Sequence, residues 1–327
     1  MSKAKTVLGH LAAALLLSAL GLQASAQVSR SIELLHTNTD QRTSALGDAM
    51  AARQDRMSLF VSPLALIPGD NAFGVEVSSQ LFPKVADLKG NSDQYNAVAG
   101  FKFLDRHAVS VSFRYQGAPE IEYFYIDRPT PTEGDAVKTI RPFEWAIDLA
   151  YGFQISRDFS AMVSGNFVTS WIGVAGYTGG ASVGGFYNHD FGSAGILGVG
   201  LKVEDLGAPI QYQGGRAYAM PASARLSAEY GLEIAEKHSL DFLLGGRYFF
   251  LPITSQLLTV GAGVEYAFDE LIFARVGGQF GTHNLSKITA GAGVKILGSY
   301  ALDFSWSHGL AADVGIDVWS VGLSARF

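Results

Sequence analysis

A chain of 327 residues with 24 Lys and Arg, 30 Asp and Glu and a net charge of −6 is too acidic for a nucleic-acid partner, and with no cysteine it has no disulfide scaffold. Charged residues make up 17%, aromatics 12%, and glycines number 38. That balance is unusual for a soluble domain and suits a membrane β-barrel, where glycine relieves crowding between strands and aromatics gather at the interfaces; a secreted all-β sandwich is the competing architecture.

Residues 1–26 read as a secretory signal peptide. Lys3 and Lys5 give a basic start, Leu11 to Leu22 an apolar run, and Ala24-Ser25-Ala26 a small-residue cleavage site. The run is too short to cross a bilayer as a helix, and no other stretch reaches about 18 apolar residues. No cysteine follows the cleavage site to carry a lipid anchor. Cleavage near Ala26 removes two of the 24 basic residues, leaving 22 against 30 acidic ones, a net charge of −8 for a mature chain starting at Gln27.

Residues 27–71 lack a strand pattern. Helix formers are mixed with glycine in TDQRTSALGDAM (39–50), and Ser62-Pro63 and Pro68-Gly69-Asp70 interrupt any regular element. This stretch is predicted to be a hatch folded into or against the mouth of a barrel formed by residues 72–327.

From there the chain becomes a series of fourteen segments with alternating apolar and polar residues: 72–80, 95–104, 107–116, 142–156, 158–170, 180–192, 194–204, 222–234, 237–249, 256–268, 270–280, 287–297, 299–308 and 316–327. Their length is what a tilted transmembrane strand needs. In the fourth, Trp145, Ile147, Leu149, Tyr151, Phe153 and Ile155 share one face; in the thirteenth, Tyr300, Leu302, Phe304 and Trp306 do. The connectors after every second segment are tiny (105–106, 157, 193, 235–236, 269 and 298). The others are mostly longer (81–94, 117–141, 171–179, 205–221, 250–255, 281–286 and 309–315). Such alternation predicts an up-and-down barrel with tight periplasmic turns, longer outer loops and both termini in the periplasm. A sandwich has no reason to sort its loops by length.

Charges out of phase with the aromatics, namely Arg114, Asp148, Glu229, Asp241, Arg247, Glu265, Lys295, Asp303 and Arg326, are predicted to face the lumen, because lipid does not tolerate them. They form either a salt-bridge network that packs the barrel or a transport pathway. No catalytic set, cofactor site or metal site is expected. His36, His107, His189, His238, His283 and His308 show no ligand-like spacing, and neither a nucleophile elbow nor a phosphate-binding loop is present. Some outer-membrane proteases and phospholipases use Asp, His and Ser at the lumen rim, but only residue types common to any barrel would support a hydrolase here.

Two predicted outer loops are apolar. In 117–141 the core IEYFYI (121–126) places Tyr123, Phe124 and Tyr125 together, stiffened by Pro119, Pro129 and Pro131. Either the strands continue past the membrane or the loop offers an aromatic surface to a partner. Loop 205–221 carries Tyr212, Tyr218 and Met220, which are expected to be exposed. The last segment puts Trp319, Val321, Leu323, Ala325 and Phe327 on one face and ends the chain on an aromatic in phase with it. A closing strand ending in Phe resembles the C-terminal assembly signal of outer-membrane barrels, and Trp319 and Phe327 are its candidate elements.

The runs GLKVEDLGAPIQY (200–212) and MPASARLSAEY (220–230), with RTSALGDA (42–49), resemble the PorV/PorQ family. That family follows its N-terminal segment with Asn-Pro-Ala, where this chain has Val61-Ser62-Pro63-Leu64. The resemblance implies an all-β, fourteen-stranded antiparallel transmembrane barrel, similar to the FadL fatty-acid transporter, in the bacterial outer membrane. It implies a role in type IX secretion, binding the C-terminal signal domains of exported cargo. The expected function is a non-enzymatic adaptor with Tyr123, Phe124, Tyr125, Tyr212 and Tyr218 as anchors. Its expected partners are secreted cargo proteins or a translocon barrel, outer-membrane lipid, and the barrel-assembly machinery during biogenesis. The alternative is a FadL-like transporter of hydrophobic small molecules, favoured by an inward Leu243 and the hatch and opposed by the lumenal charges. An accessory role in barrel assembly or surface lipid is a third reading.

Overall fold

The computed structural model describes residues 32–84, 88–124, 137–212, 215, 217–310 and 316–327; the signal-peptide segment and Tyr125 lie outside them. The strands are β1 (Phe73–Leu81), β2 (Asp93–Phe103), β3 (His107–Gly117), β4 (Ile121–Phe124), β5 (Val137–Ile140), β6 (Phe143–Gln154), β7 (Phe159–Trp171), β8 (Ala175–Asp190), β9 (Ile196–Gly207), β10 (Ile210–Tyr212), β11 (Ala217–Tyr218), β12 (Ser223–Ala235), β13 (His238–Phe249), β14 (Leu257–Phe268), β15 (Ile272–Gly281), β16 (Lys287–Ile296), β17 (Tyr300–Gly309) and β18 (Asp317–Arg326). Fourteen of them close an antiparallel barrel in which β18 returns to β1, from Gly74 opposite Arg326 to Leu81 opposite Trp319. β4 and β5 form a separate hairpin above the rim, and β10 leaves the wall beside β8 and carries β11.

Thirteen of these wall strands begin within two residues of the predicted position. The exception is β8, which starts at Ala175 rather than 180, so the loop predicted over 171–179 is a turn of residues 172–174. The strand continues there because Gly176 and Tyr177 pair with Tyr212 and Gln211 of β10 as well as with β7, which satisfies the backbone on both edges.

The alternation sorts side chains as expected. On β18, Trp319, Val321, Leu323 and Phe327 are exposed on the outer face while Ser320 is buried inside; on β6, Ile147, Leu149 and Tyr151 face out. Aromatic belts mark the two edges of this apolar band. At the turn end, His107 and His238 bond the hydroxyls of Tyr151 and Tyr266 at 2.7 and 2.6 Å, so they belong to the belt. At the loop end, Trp306 and Trp319 approach to 6.2 Å.

The lumen is filled by the segment preceding β1. It consists of 3-10 turns at Glu33–Leu35, Gln54–Arg56 and Pro63–Leu66 and one α-turn, Gln41–Ser44, joined by irregular chain. Asp40 caps the α-turn, accepting from the Arg42 amide at 3.1 Å, and Ser62 caps the last turn, with Pro63 at its first position. The plug runs from the loop end, where Leu34 and Leu35 pack with Ala146 and Val168, to the turn end, where Lys102 donates to the Gly69 carbonyl. Wall glycines let the two backbones approach: a Cβ on Gly263 or Gly277 would stand 2.6 Å from a backbone atom of Leu46.

The predicted lumenal charges hold this plug. Asp241 and Glu265 lie directly opposite each other on β13 and β14, a like-charge pair that needs cations between its strands and the plug. Arg42 supplies one: Nε is 3.1 Å from both Glu265 oxygens, and Nη2 is 2.8 Å from Glu229. Arg53 pairs with Asp241. The other Glu229 oxygen accepts the amides of Ala52 and Arg53 at 2.9 and 3.0 Å. Glu229 and Glu265 are fully buried, so losing their partner strands a charge. Arg42→Ala is expected to lower unfolding free energy by about 3–5 kcal/mol, read from the urea midpoint in detergent micelles.

Candidate functional site

The loop end combines displayed apolar groups with a polar chamber beneath them. The β4–β5 hairpin aligns Tyr123 with Lys138 and Phe124 with Val137 in a two-stranded sheet separate from the wall, and Ile121 at its base is exposed. Loop 208–222 is pinned at several points. Ile210 and Met220 are buried with Ile32, Leu34 and Leu35 of the plug, and Tyr212 packs against them. Tyr218 stands edge-on to Tyr212 at 6.1 Å and is 44% exposed.

Tyr212 is half-buried. Burial pushes its phenol above the usual range, the hydrogen bond to Ser170 opposes this, and the nearby Glu144 carboxylate adds to it. The hydroxyl donates to Ser170 Oγ at 2.9 Å, Ser170 donates to Glu144 Oε1 at 3.2 Å, and Glu144 Oε2 accepts the Leu34 amide at 2.9 Å. An outer hairpin, two wall strands and the leading edge of the plug therefore share one chain of hydrogen bonds.

A third apolar loop, 250–256, was not singled out from the sequence. Its Ile253 is 76% exposed, and the signal was available in the run FFLPI (249–253). Trp319 and Phe327 both lie on the lipid face. Trp319 packs on Phe304 at 5.5 Å; Phe327 stands edge-on to Tyr300 at 5.8 Å and exchanges two backbone hydrogen bonds with Phe73.

Beneath the loops, Glu204 on β9 gathers three cations: Lys202 at 3.0 Å, Arg225 at 2.6 Å and Arg247 at 3.5 Å. Lys202 faces Arg225, and Arg225 faces Arg247, so this carboxylate offsets repulsion across β9, β12 and β13. Arg247 also donates to the carbonyls of Leu35 and His36 and lies 4.0 Å over the Phe249 ring. Around this cluster are two neighbouring cavities of about 190 and 90 Å³. Their linings mix apolar residues such as Phe249, Leu257, Met50 and Met162 with many charged and hydroxyl groups, among them Arg114 bonded to Asp148 at 2.6 Å, a density of charge that suits water or polar groups. Arg42, Arg53, Arg275 and Glu204 were missed as lumenal charges: two lie on the irregular plug, where no alternation applies, and two were passed over on the strands.

The family described as "Type IX secretion system protein PorV" matches residues 22–244. Among solved structures, the fold is similar to a TodX deltaS2S3 mutant monoaromatic hydrocarbon channel, with 11% identity over 88% of this chain and 98% of that one and a TM-score of 0.59. It is also similar to the Pseudomonas putida toluene transporter TodX (11%, 87% and 96%, 0.57) and to a Pseudomonas aeruginosa FadL homologue (11%, 89% and 99%, 0.53). At these identities the likeness concerns the fold. No curated protein matches the chain in sequence.

Glu144→Ala removes the acceptor shared by Ser170 and the Leu34 amide. Hydrogen-exchange mass spectrometry is expected to find faster exchange in residues 33–36 and in loop 208–222, with the paired amides of β13–β16 unchanged.

Proposed function

Because this chain belongs to the PorV family of type IX secretion system proteins, we propose that it is a non-enzymatic adaptor of that system. It is a fourteen-stranded barrel of the bacterial outer membrane, and its family and fold are those of transport and secretion barrels. In this reading the outer loops bind the C-terminal signal domains of secreted cargo, or a translocon subunit. Residues 1–26 serve as the signal peptide, 27–71 as the hatch and 72–327 as the barrel. Outer-membrane lipid covers the apolar belt, and Trp319 and Phe327 are read by the assembly machinery.

The observation that carries the proposal is a division of labour: the lumen is occupied by the plug, whereas Ile121, Tyr218 and Ile253 are displayed at the loop end. A few large, desolvated side chains dominate most protein interfaces, and aromatic groups displayed on anchored hairpins suit that use. Tyr123, Phe124, Tyr125 and Tyr218 would contact the partner, and Tyr212 would also fix the hairpin that presents Tyr218.

The second reading is FadL-like transport of hydrophobic small molecules. The similar structures include a toluene transporter and a monoaromatic hydrocarbon channel, which favours this reading; the charged groups lining the two upper cavities count against it.

Replacing Tyr123, Phe124 and Tyr218 together with Ser is expected to leave a folded, heat-modifiable barrel that no longer co-purifies with its partners. Mild-detergent affinity purification with mass spectrometry checks this. Secreted proteins sharing a C-terminal domain, or a large translocon barrel, should accompany the wild-type protein; unchanged recovery with the triple variant would sink the adaptor reading. Liposomes holding the purified barrel are expected to take up labelled fatty acid no faster than empty ones. Uptake above that background would favour transport.

A further inference from the structure

Two pairs of cavities border the plug. The two upper ones adjoin, sharing Thr37, Asn38, Arg225 and Arg247 in their walls. Two more, of about 90 and 380 Å³, adjoin at the turn end, where Arg42, Arg56, Met57, Asp303, Ser324 and Arg326 line both. Among the described residues, Phe60 alone lines both an upper and a lower cavity of these pairs.

Polar groups stand on each side of Phe60. Above it, Ser110 and Ser112 of β3, Ser164 of β7 and Ser182 of β8 are small hydroxyl residues of the upper lining. Below it, Glu76 and Arg326 pair at 3.3 Å. Phe60 itself is only half-buried, although it lies within the lumen, and it rests against the core cluster that includes Met50 and Leu59. Its backbone is held by a turn: Val61 N–H donates to the Ser58 carbonyl at 3.0 Å, and the Phe60 amide donates to Ser58 Oγ at 3.1 Å. The turn is tied to the wall because the Leu59 amide donates to Glu76 at 3.1 Å. A fixed backbone thus carries an aromatic ring, backed by this apolar cluster, between two spaces whose linings include hydroxyls and charged groups. Apolar constrictions in polar pores close by expelling water, without needing a tight steric seal.

We propose that the barrel contains a latent axial path for small hydrophilic solutes and inorganic ions, closed by the Phe60 ring as a hydrophobic gate. The path differs from a hydrocarbon route in chemistry, since its walls carry hydroxyls and both signs of charge. It does not depend on the adaptor reading, because it uses none of the outer-loop side chains.

The test is single-channel recording of the full purified barrel in planar bilayers with symmetrical potassium chloride. The wild type is expected to be nearly silent. Phe60→Ala and Phe60→Asp are expected to give discrete small steps and a several-fold rise in mean current, whereas Phe60→Leu, which keeps an apolar side chain, should stay closed. The double variant Arg42→Ala/Arg53→Ala, which loosens the whole plug, serves as the reference for an emptied lumen. Silence of a heat-modifiable Phe60→Ala barrel would overturn the proposal. So would porin-sized steps matching the double variant, because the plug would then have left rather than the gate opened.

Discussion

An irregular backbone at membrane depth must find a partner for every amide and carbonyl, and that requirement organises the lumen. The plug cannot meet it alone, since its described helical turns are three or four residues long. The wall does so with ionised side chains. Glu229 receives two plug amides, Glu76 and Glu144 one each, while Arg247 and Arg326 each cap two plug carbonyls. These groups are tolerable inside a membrane protein because the same contacts neutralise them. The wall's like-charge neighbours, Asp241 against Glu265 and Arg225 against Arg247, make sense only with the plug and Glu204 in place.

The same network sets how the barrel can act. The charges lock the plug to its wall and leave cavities above and below it, and in the proposed reading the working surface is the loop end. There the plug is still part of the site, because Leu34 is joined through Glu144 and Ser170 to Tyr212. An outer hairpin resting on the plug is held more firmly than one attached only to its parent strands.

Much of the wall was legible in the sequence, since lipid on one side and water or plug on the other enforce a period of two. Trp319 to Phe327 and Ile147 to Tyr151 alternate as read. The start of β8 was not legible: Gly176 and Gly179 look like loop residues, and the strand there rests on pairing with β7 throughout and with the distant β10 at Gly176 and Tyr177. The inward charges were recognised by phase, but which ones meet depends on register, and the opposition of Asp241 to Glu265 appears only after pairing. Arg42 lay in view within a family-like motif, yet its role depends on carboxylates 187 and 223 positions away. The Tyr212 chain was hidden for the same reason.

The seam between β1 and β18 adds a temporal dimension. Arg326, on the last strand, donates to the carbonyls of Met57 and Ala65, which belong to the plug at the other end of the chain. The ladder that joins the first and last wall strands can therefore reach its final geometry only around a plug already seated. Without the plug that guanidinium would lose both carbonyls. Closure of the wall and the seating of the plug are thus coupled through one side chain, so that the strand closing the barrel also bears on the segment inside it.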